Sequence, residues 1–139
     1  MSTDTFKVYD AEQMVVGRLG SKVAKAAILG DNIVIINAEK AIITGDPRTL
    51  IAAWKENFNI RTSYKPWRGP FHHRRPDKMV RRMIRGMLPY KQEKGDVALK
   101  RIKCYIGVPN EFKDKETQEI EGASIQKLPN VKYLPLGEI

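Results

Sequence analysis

The chain has 139 residues, 42% of them hydrophobic, and a formal net charge of +9 at pH 7. This length is typical of one domain with its own hydrophobic core, and the composition excludes an intrinsically disordered chain. The only cysteine is Cys104, which excludes an intrachain disulfide and favours a reducing compartment. The N-terminus lacks the pattern of a signal peptide, and no apolar run approaches the roughly 20 residues of a membrane span. We therefore expect one cytoplasmic domain over residues 1–139.

The first forty residues alternate strand and helix patterns. Lys7–Asp10 and Ile33–Ile36 are strand candidates, and the continuous β-branched run of the second predicts a strand covered on both faces, as in a parallel sheet. Between them, apolar side chains at i, i+4, i+7 and i+8 predict a helix after Gly17. Gly30 supplies the stop. The buried stripe of this helix would be Leu19, Val23, Ala26 and Ala27.

Ala41–Thr44 is a second short apolar stretch. Gly45 is predicted to form a turn, and clear signals of a helix start follow it. Asp46 suits the N-cap and Pro47 the first helical position. The helix should end near Asn59. Its inner face is predicted to be Leu50, Ile51, Trp54 and Phe58.

The stretch from Arg61 to Arg85 is strongly basic, with nine Lys or Arg against one acid, Asp77. Residues 61–103 together carry a net charge of +11, which leaves −2 for the rest of the chain. Guanidinium groups bind phosphate bidentately and stack on bases, and three aromatic residues and two histidines lie between the cations. Pro66 and Pro70 predict an extended loop over Arg61–Arg75 rather than a helix. The pattern predicts a nucleic-acid partner, whereas a solvated charged loop is the alternative.

A helix should follow, because Pro76 and Asp77 suit an opening turn. Its apolar face would be Met79, Val80, Met83, Ile84 and Met87, and its basic face Lys78, Arg81, Arg82 and Arg85.

The rest of the chain adds a helix at about Glu93–Lys100 and a strand at Ile102–Ile106. Residues 108–139 are predicted to be weakly structured, since acids recur in Pro109–Gly122, and the short Val131–Leu136 stretch contains a proline. Strands alternating with helices predict an α/β fold with a small parallel sheet.

Three motifs invite other chemistry. His72 and His73 could bind a metal, but the chain offers no matching ligands, so RNA contact or loop packing is preferred. Cys104 lies in an apolar strand with no neighbouring base, which favours a small buried side chain over a nucleophile. Gly17–Gly20 contains no complete nucleotide-binding motif, although this helix start could bind one phosphate with the help of Arg18.

Two other functions are alternatives to nucleic-acid binding. The basic amphipathic helix could bind a membrane surface or an acidic protein. An enzyme would need a convergent acid–base or metal constellation, and the acids are concentrated in the C-terminal part.

Two segments are the most specific in the chain, Gly69–Pro76 (GPFHHRRP) and Arg82–Lys91 (RMIRGMLPYK). They closely resemble the archaeal and eukaryotic type of the large-subunit ribosomal protein L-thirteen family. Further similarity lies in Gly17–Leu19, Ile36–Glu39 and Ala98–Tyr105, so that the resemblance extends in order from about residue 8 to 109.

The resemblance implies a non-enzymatic, rRNA-binding protein of the large ribosomal subunit that binds early in assembly and contacts neighbouring ribosomal proteins. The implied fold is a three-layer α/β/α domain with a four-stranded parallel sheet, joined here to a long basic extended loop. We expect no cofactor, metal, small-molecule substrate or membrane partner. Gly20 departs from the alanine that is common in the family.

We predict that the loop, the basic helix and its flanks bind rRNA over about residues 61–91, with phosphates fixing position and RNA shape giving specificity. For Trp67, anchoring of the loop on its own domain is the alternative to base stacking. Replacing Arg81 and Arg85 by Glu should weaken RNA binding and leave stability nearly unchanged. The predicted RNA-binding residues are Arg18, Lys22, Lys25, Arg61, Lys65, Trp67, Arg68, Phe71, His72, His73, Arg74, Arg75, Lys78, Arg81, Arg82, Arg85, Lys91 and Lys94.

Overall fold

The computed structural model describes residues 5–129 and 132–139. The first four residues of the predicted domain and Val131 of the Val131–Leu136 stretch lie outside the described residues. The elements in chain order are β1 (Phe6–Asp10), α1 (Val16–Ile28), β2 (Asn32–Ile36), β3 (Ile42–Thr44), α2 (Pro47–Asn59), α3 (Pro76–Met87), α4 (Glu93–Lys100), β4 (Ile102–Cys104), β5 (Thr117–Gln118) and β6 (Tyr133–Pro135).

Four parallel strands form the central sheet in the order β4-β2-β1-β5. Val8 of β1 is paired with Val34 of β2, and Ile33 of β2 with Ile102 of β4. The predicted α/β class with a four-stranded parallel sheet is confirmed, and its four helices are consistent with a three-layer α/β/α fold. The strand predicted over Ile102–Ile106 is shorter and ends at Cys104.

The two faces of the sheet are covered differently. Ile33, Ile35 and Ile102 belong to the main core, which also contains the apolar sides of α1, α3 and α4. On the opposite face Val8, Val34 and Ile36 form a smaller cluster with Phe112, against which Phe6 and Tyr105 pack. Strand β2 is therefore buried on both faces, which is why its sequence is continuously apolar.

Helix α2 begins as predicted: Pro47 is its first residue, and the Asp46 side chain accepts a hydrogen bond from the Arg48 backbone nitrogen at 3.2 Å. Its apolar face, however, is only half-buried, and the helix has no fully buried residue. The predicted inner face of Leu50, Ile51, Trp54 and Phe58 is therefore partly rather than fully buried. Helix α2 contacts β6, and Trp54 is the side chain of its inner face that packs against the main core.

The C-terminal part, expected to be weakly structured, contributes two strands. Strand β5 extends the central sheet beside β1, and β6 pairs antiparallel with β3, placing Leu134 and Leu136 in buried positions. Strands of two and three residues are too short to show a periodicity, and their pairing partners are remote in sequence. The chain's local pattern therefore could not indicate them.

Candidate nucleic-acid interface

The basic loop, residues 61–75, connects the end of α2 to the start of α3. A short 3-10 turn over Pro66–Arg68 lies within it, closed by a hydrogen bond from the Arg68 nitrogen to the Lys65 carbonyl oxygen at 3.0 Å. The remainder is irregular, as predicted, because proline removes a backbone donor and fixes φ. The loop therefore presents its side chains on an irregular backbone connection rather than on a regular element.

Three aromatic side chains of the basic loop face solvent. Tyr64 is 81% exposed, Trp67 68% and Phe71 78%. The exposure of Trp67 argues against its alternative role as an anchor of the loop on the domain. Trp67 and Phe71 are the two of these rings that were predicted to bind RNA, and large apolar side chains left this exposed between cations are typical of surfaces on which bases stack.

The cations of the basic loop are largely without acidic partners. Of the four ion pairs within residues 5–129 and 132–139, one involves this region, Arg75 to Asp77 at 3.3 Å. Arg74 instead lies over the ring of Phe58, with its Cζ 5.1 Å from the ring centre. Most of the positive charge is thus available to an anionic partner.

The outer face of α3 continues this positive surface. Lys78, Arg81 and Arg82 are exposed, whereas Met79, Val80 and Ile84 on the opposite side are buried in the main core, as predicted.

Arg81 has a structural contact that sequence reasoning missed. Its guanidinium donates to the carbonyl oxygens of Leu99 at 3.2 Å and Ile102 at 3.3 Å, where α4 ends and β4 begins. The arginine thereby connects α3 to the last turn of α4 and to the first residue of β4. The expectation that replacing Arg81 and Arg85 leaves stability nearly unchanged is corrected by these contacts.

Arg85 is half-buried beside the next turn of the chain. Its Cζ lies 4.4 Å from the centre of the Tyr90 ring, and its Nε is buried without a hydrogen-bond partner among the described residues. This distance is within the range of an attractive cation–π interaction.

Two cavities lie on this surface, and the adjacent histidines line different ones. His72 lines a cavity of about 300 Å³ between the end of α2 and the basic loop. His73 lines a second cavity, of about 240 Å³, on the outer face of α3, and its other lining residues are Lys78, Arg81, Arg82, Arg85 and Leu99. This division gives no support to a shared metal site, and the second cavity has the cationic lining that a phosphate group requires.

The remaining predicted residues lie elsewhere. Arg18, in the first turn of α1, donates to the Gly122 carbonyl oxygen at 2.9 Å, so its guanidinium is bound in part to the chain itself. Lys22 and Lys25 are exposed along α1, Lys91 is exposed just before α4, and Lys94 is exposed in the first turn of α4. No hydrogen bond or ion pair in the described part of the chain joins these five residues to the basic loop.

Cys104 is half-buried and packs against the main core. Burial, the largest cause, raises the pKa of its thiol from 9.0 to about 12. The thiol is therefore protonated at neutral pH, as expected for a small apolar side chain rather than a nucleophile.

Three residues at the candidate interface were not predicted as site residues. Phe58 and Ile60 line the 300 Å³ cavity, and Tyr90 supports Arg85. Phe58 and Ile60 are the last apolar side chains before the basic loop, and this position next to the loop is the sequence feature that could have indicated them. No sequence feature indicated Tyr90, because only the fold brings its ring close to Arg85.

No helix in the described ranges combines the length and apolarity that a bilayer crossing requires. Within the same ranges, no group of three or more His, Cys, Asp or Glu side chains is placed to hold a metal ion.

The fold and this surface define a small α/β protein whose three most exposed aromatic rings lie on one basic loop, which is followed by a helix with a cationic outer face. The family model described as Ribosomal protein L13 matches residues 4–111. The chain belongs to the ribosomal protein L13 family.

Archaeal relatives match over nearly the whole chain. The chain is 44% identical over 133 residues to the large ribosomal subunit protein uL13 of Methanosarcina barkeri, covering 95% of this chain and 93% of the relative. It is 39% identical over 137 residues to uL13 of Archaeoglobus fulgidus, covering 98% and 86%, and 41% identical over 138 residues to uL13 of Methanopyrus kandleri, covering 98% and 85%.

Proposed function

We propose that this chain is a structural, non-enzymatic constituent of the large ribosomal subunit, located at the cytoplasmic ribosome. In this proposal the basic loop and the outer face of α3 bind large-subunit rRNA. The protein thereby supports subunit assembly and abuts neighbouring ribosomal proteins. Membership of the L13 family and the names of the archaeal relatives support the ribosomal assignment.

The observation that carries the RNA-binding part is the unneutralised charge of the basic loop. Its single ion pair is Arg75–Asp77 among the described residues, although the surrounding segment is strongly cationic. Self-repulsion of this kind is relieved by a polyanion, and arginines with flat exposed rings between them suit RNA better than a simple acidic surface.

The membrane alternative depends on a free apolar face of α3. Met79, Val80 and Ile84 are at most 3% exposed, because they are packed in the main core. Of the five apolar residues of this face, Met83 is partly buried and Met87, in the last turn, is 42% exposed. Most of the face is therefore already used by the core, and a single exposed methionine is a small surface to insert into a lipid interface, which favours rRNA as the partner.

The test is binding of the purified chain to large-subunit rRNA as a function of salt. If about 6–10 phosphates are neutralised, affinity should fall on the order of 10³–10⁵-fold between 50 and 200 mM salt. Small-subunit rRNA serves as the competitor and anionic liposomes as the control surface. Weak binding that does not discriminate large-subunit rRNA, or tighter binding to the liposomes, would contradict the proposal.

A further inference from the structure

The 300 Å³ cavity at the root of the basic loop differs chemically from the rest of the positive surface. Phe58 and Ile60 come from the end of α2, and Phe71 from the far side of the loop. Arg61, His72 and Arg74 add polar groups, and Pro66 and Pro70 complete the lining. The cavity therefore combines apolar walls with a cationic surround.

One wall of this cavity is already held in place. The Arg74 guanidinium lies over the Phe58 ring at 5.1 Å, and that ring in turn contacts Trp54, with 5.9 Å between ring centres. A guanidinium on an aromatic ring is restrained in its orientation and still offers its N–H groups and its other face. Phe71, which also lines the cavity and is 78% exposed, has a free ring face with which to cover a flat group.

The volume and the charge together restrict the occupant. About 300 Å³ is at the lower end of pockets for small organic groups, which are roughly 300–1,000 Å³. A phosphate alone gains nothing from contact with phenylalanine, isoleucine and proline side chains. The cationic lining of the cavity of about 240 Å³ on α3 suits a phosphate better. An uncharged apolar ligand makes no favourable electrostatic contact with the arginines. A nucleotide within a single-stranded segment satisfies both requirements, with its base between the walls and its phosphates among the arginines.

We infer that this cavity receives one unpaired nucleobase of the bound RNA, stacked between Phe71 and the Arg74–Phe58 pair. This inference rests on the proposed rRNA-binding function and assigns a specific task to part of that surface. It separates Phe71 from Tyr64 and Trp67, which are equally accessible aromatic rings of the same loop but do not line the cavity.

The test compares Phe71→Ala with Tyr64→Ala in the full chain, using large-subunit rRNA. Phe71→Ala should weaken binding on the order of 10-fold, the effect of losing one stacked base. The dependence on salt should not change, since no charge is removed. Tyr64→Ala, the matched control at 81% exposure, should change affinity less than about threefold on the same scale.

A filling variant provides a second, independent measurement. Ile60→Trp adds a ring inside the cavity, and Ile28→Trp adds one at an equally exposed site on α1; the two isoleucines are 48% and 47% exposed. Ile60→Trp should weaken binding and Ile28→Trp should not. Chemical probing of the rRNA should show an unpaired base protected by the wild-type chain and by Tyr64→Ala, but reactive with Phe71→Ala.

The outcomes distinguish this inference from the proposed function. If the wild-type chain does not bind large-subunit rRNA, the proposed function fails. If the wild-type chain binds and Phe71→Ala and Ile60→Trp bind equally well, rRNA binding stands and the base pocket is overturned. Equal losses in Phe71→Ala and Tyr64→Ala also overturn it, because they indicate general stacking along the loop.

Discussion

The guanidinium of Arg81 donates a hydrogen bond of 3.3 Å to the backbone carbonyl oxygen of Ile102 and thereby connects α3 to the first residue of β4. A residue on the basic face of the helix thus also stabilises the junction of α4 and β4. Charge on this face and stability of the domain are therefore not independent at every position.

The first prediction separates these two roles on α3. Arg81→Ala should lower the free energy of unfolding by about 1 kcal/mol, a moderate value because the guanidinium is exposed. Lys78→Glu with Arg82→Glu should leave stability within about 0.5 kcal/mol, since neither side chain hydrogen-bonds to the described residues. Urea unfolding measures both.

RNA binding should respond in the reverse order. The double charge reversal at Lys78 and Arg82 should weaken rRNA binding more than Arg81→Ala does, because it places two negative charges beside the cationic cavity. If the double variant binds rRNA at low salt with unchanged affinity, the outer face of α3 does not take part in RNA binding.

The second prediction concerns Gly95, which is buried at the start of α4. A Cβ at this position would lie 2.0 Å from the Pro89 carbonyl oxygen and 2.8 Å from the Tyr90 nitrogen, both backbone atoms. Gly95→Ala should therefore destabilise the domain by roughly 3 kcal/mol or more, since backbone cannot yield as a side chain can. Thermal unfolding measures the loss.

Gly86→Ala is the matched control for Gly95→Ala. Gly86 also lies in a helix, but a Cβ added there meets no described atom within 4 Å. The substitution should be neutral or stabilise by about 0.5–1 kcal/mol, because alanine restricts the unfolded chain. Similar losses at both positions would show that the close approach at Gly95 is not the cause.

The third prediction concerns Phe112, which holds the C-terminal part against the second face of the sheet. The side chain is 5% exposed, and its ring centre lies 6.1 Å from that of Phe6 and 5.8 Å from that of Tyr105. Phe112→Ala should cost about 3 kcal/mol, the lower end for a buried phenylalanine, because the cluster is small.

Amide hydrogen exchange should show where this loss occurs. In Phe112→Ala, protection should fall most around β5, whose Thr117 pairs with Val8. Val108→Ala, in the same segment but 38% exposed, should cost less than about 1 kcal/mol. Equal stability of the two variants would mean that the cluster contributes nothing to folding.

The fourth prediction follows from the raised pKa of Cys104. The folded-state value is about 12 against an ordinary 9.0, so the thiolate fraction at pH 8 should be roughly a thousandfold smaller than in an unfolded chain. Labelling by an alkylating reagent at pH 8 should be correspondingly slow and become fast in denaturant. Rapid labelling under native conditions would contradict the burial of this thiol.

The same shift makes stability depend on pH in the alkaline range. Because the pKa is higher in the folded state, the contribution is complete below pH 9.0 and is lost as the pH rises from 9.0 toward about 12. Relative to Cys104→Ala, the wild-type chain should lose about 1–2 kcal/mol between pH 8 and 10.5. Parallel pH profiles for the two proteins would exclude the linkage.

The sequence by itself determined the elements whose signals are local. Pro47 and Asp46 marked the start of α2, the β-branched run of β2 marked a strand buried on both sides, and alternating apolar and cationic positions defined α3. The concentration of charge in residues 61–103 required no structure, because net charge is a sum over residues.

Only the tertiary structure decided which of those residues work together. It brought Phe58 of α2 beneath Arg74 of the basic loop, divided His72 and His73 between two cavities, and bound Arg81 to carbonyls of α4 and β4. These relationships join residues from different elements, and hydrophobic periodicity describes one element at a time. Strands β5 and β6 were missed for the same reason, because their stability comes from remote pairing partners rather than from their own few residues.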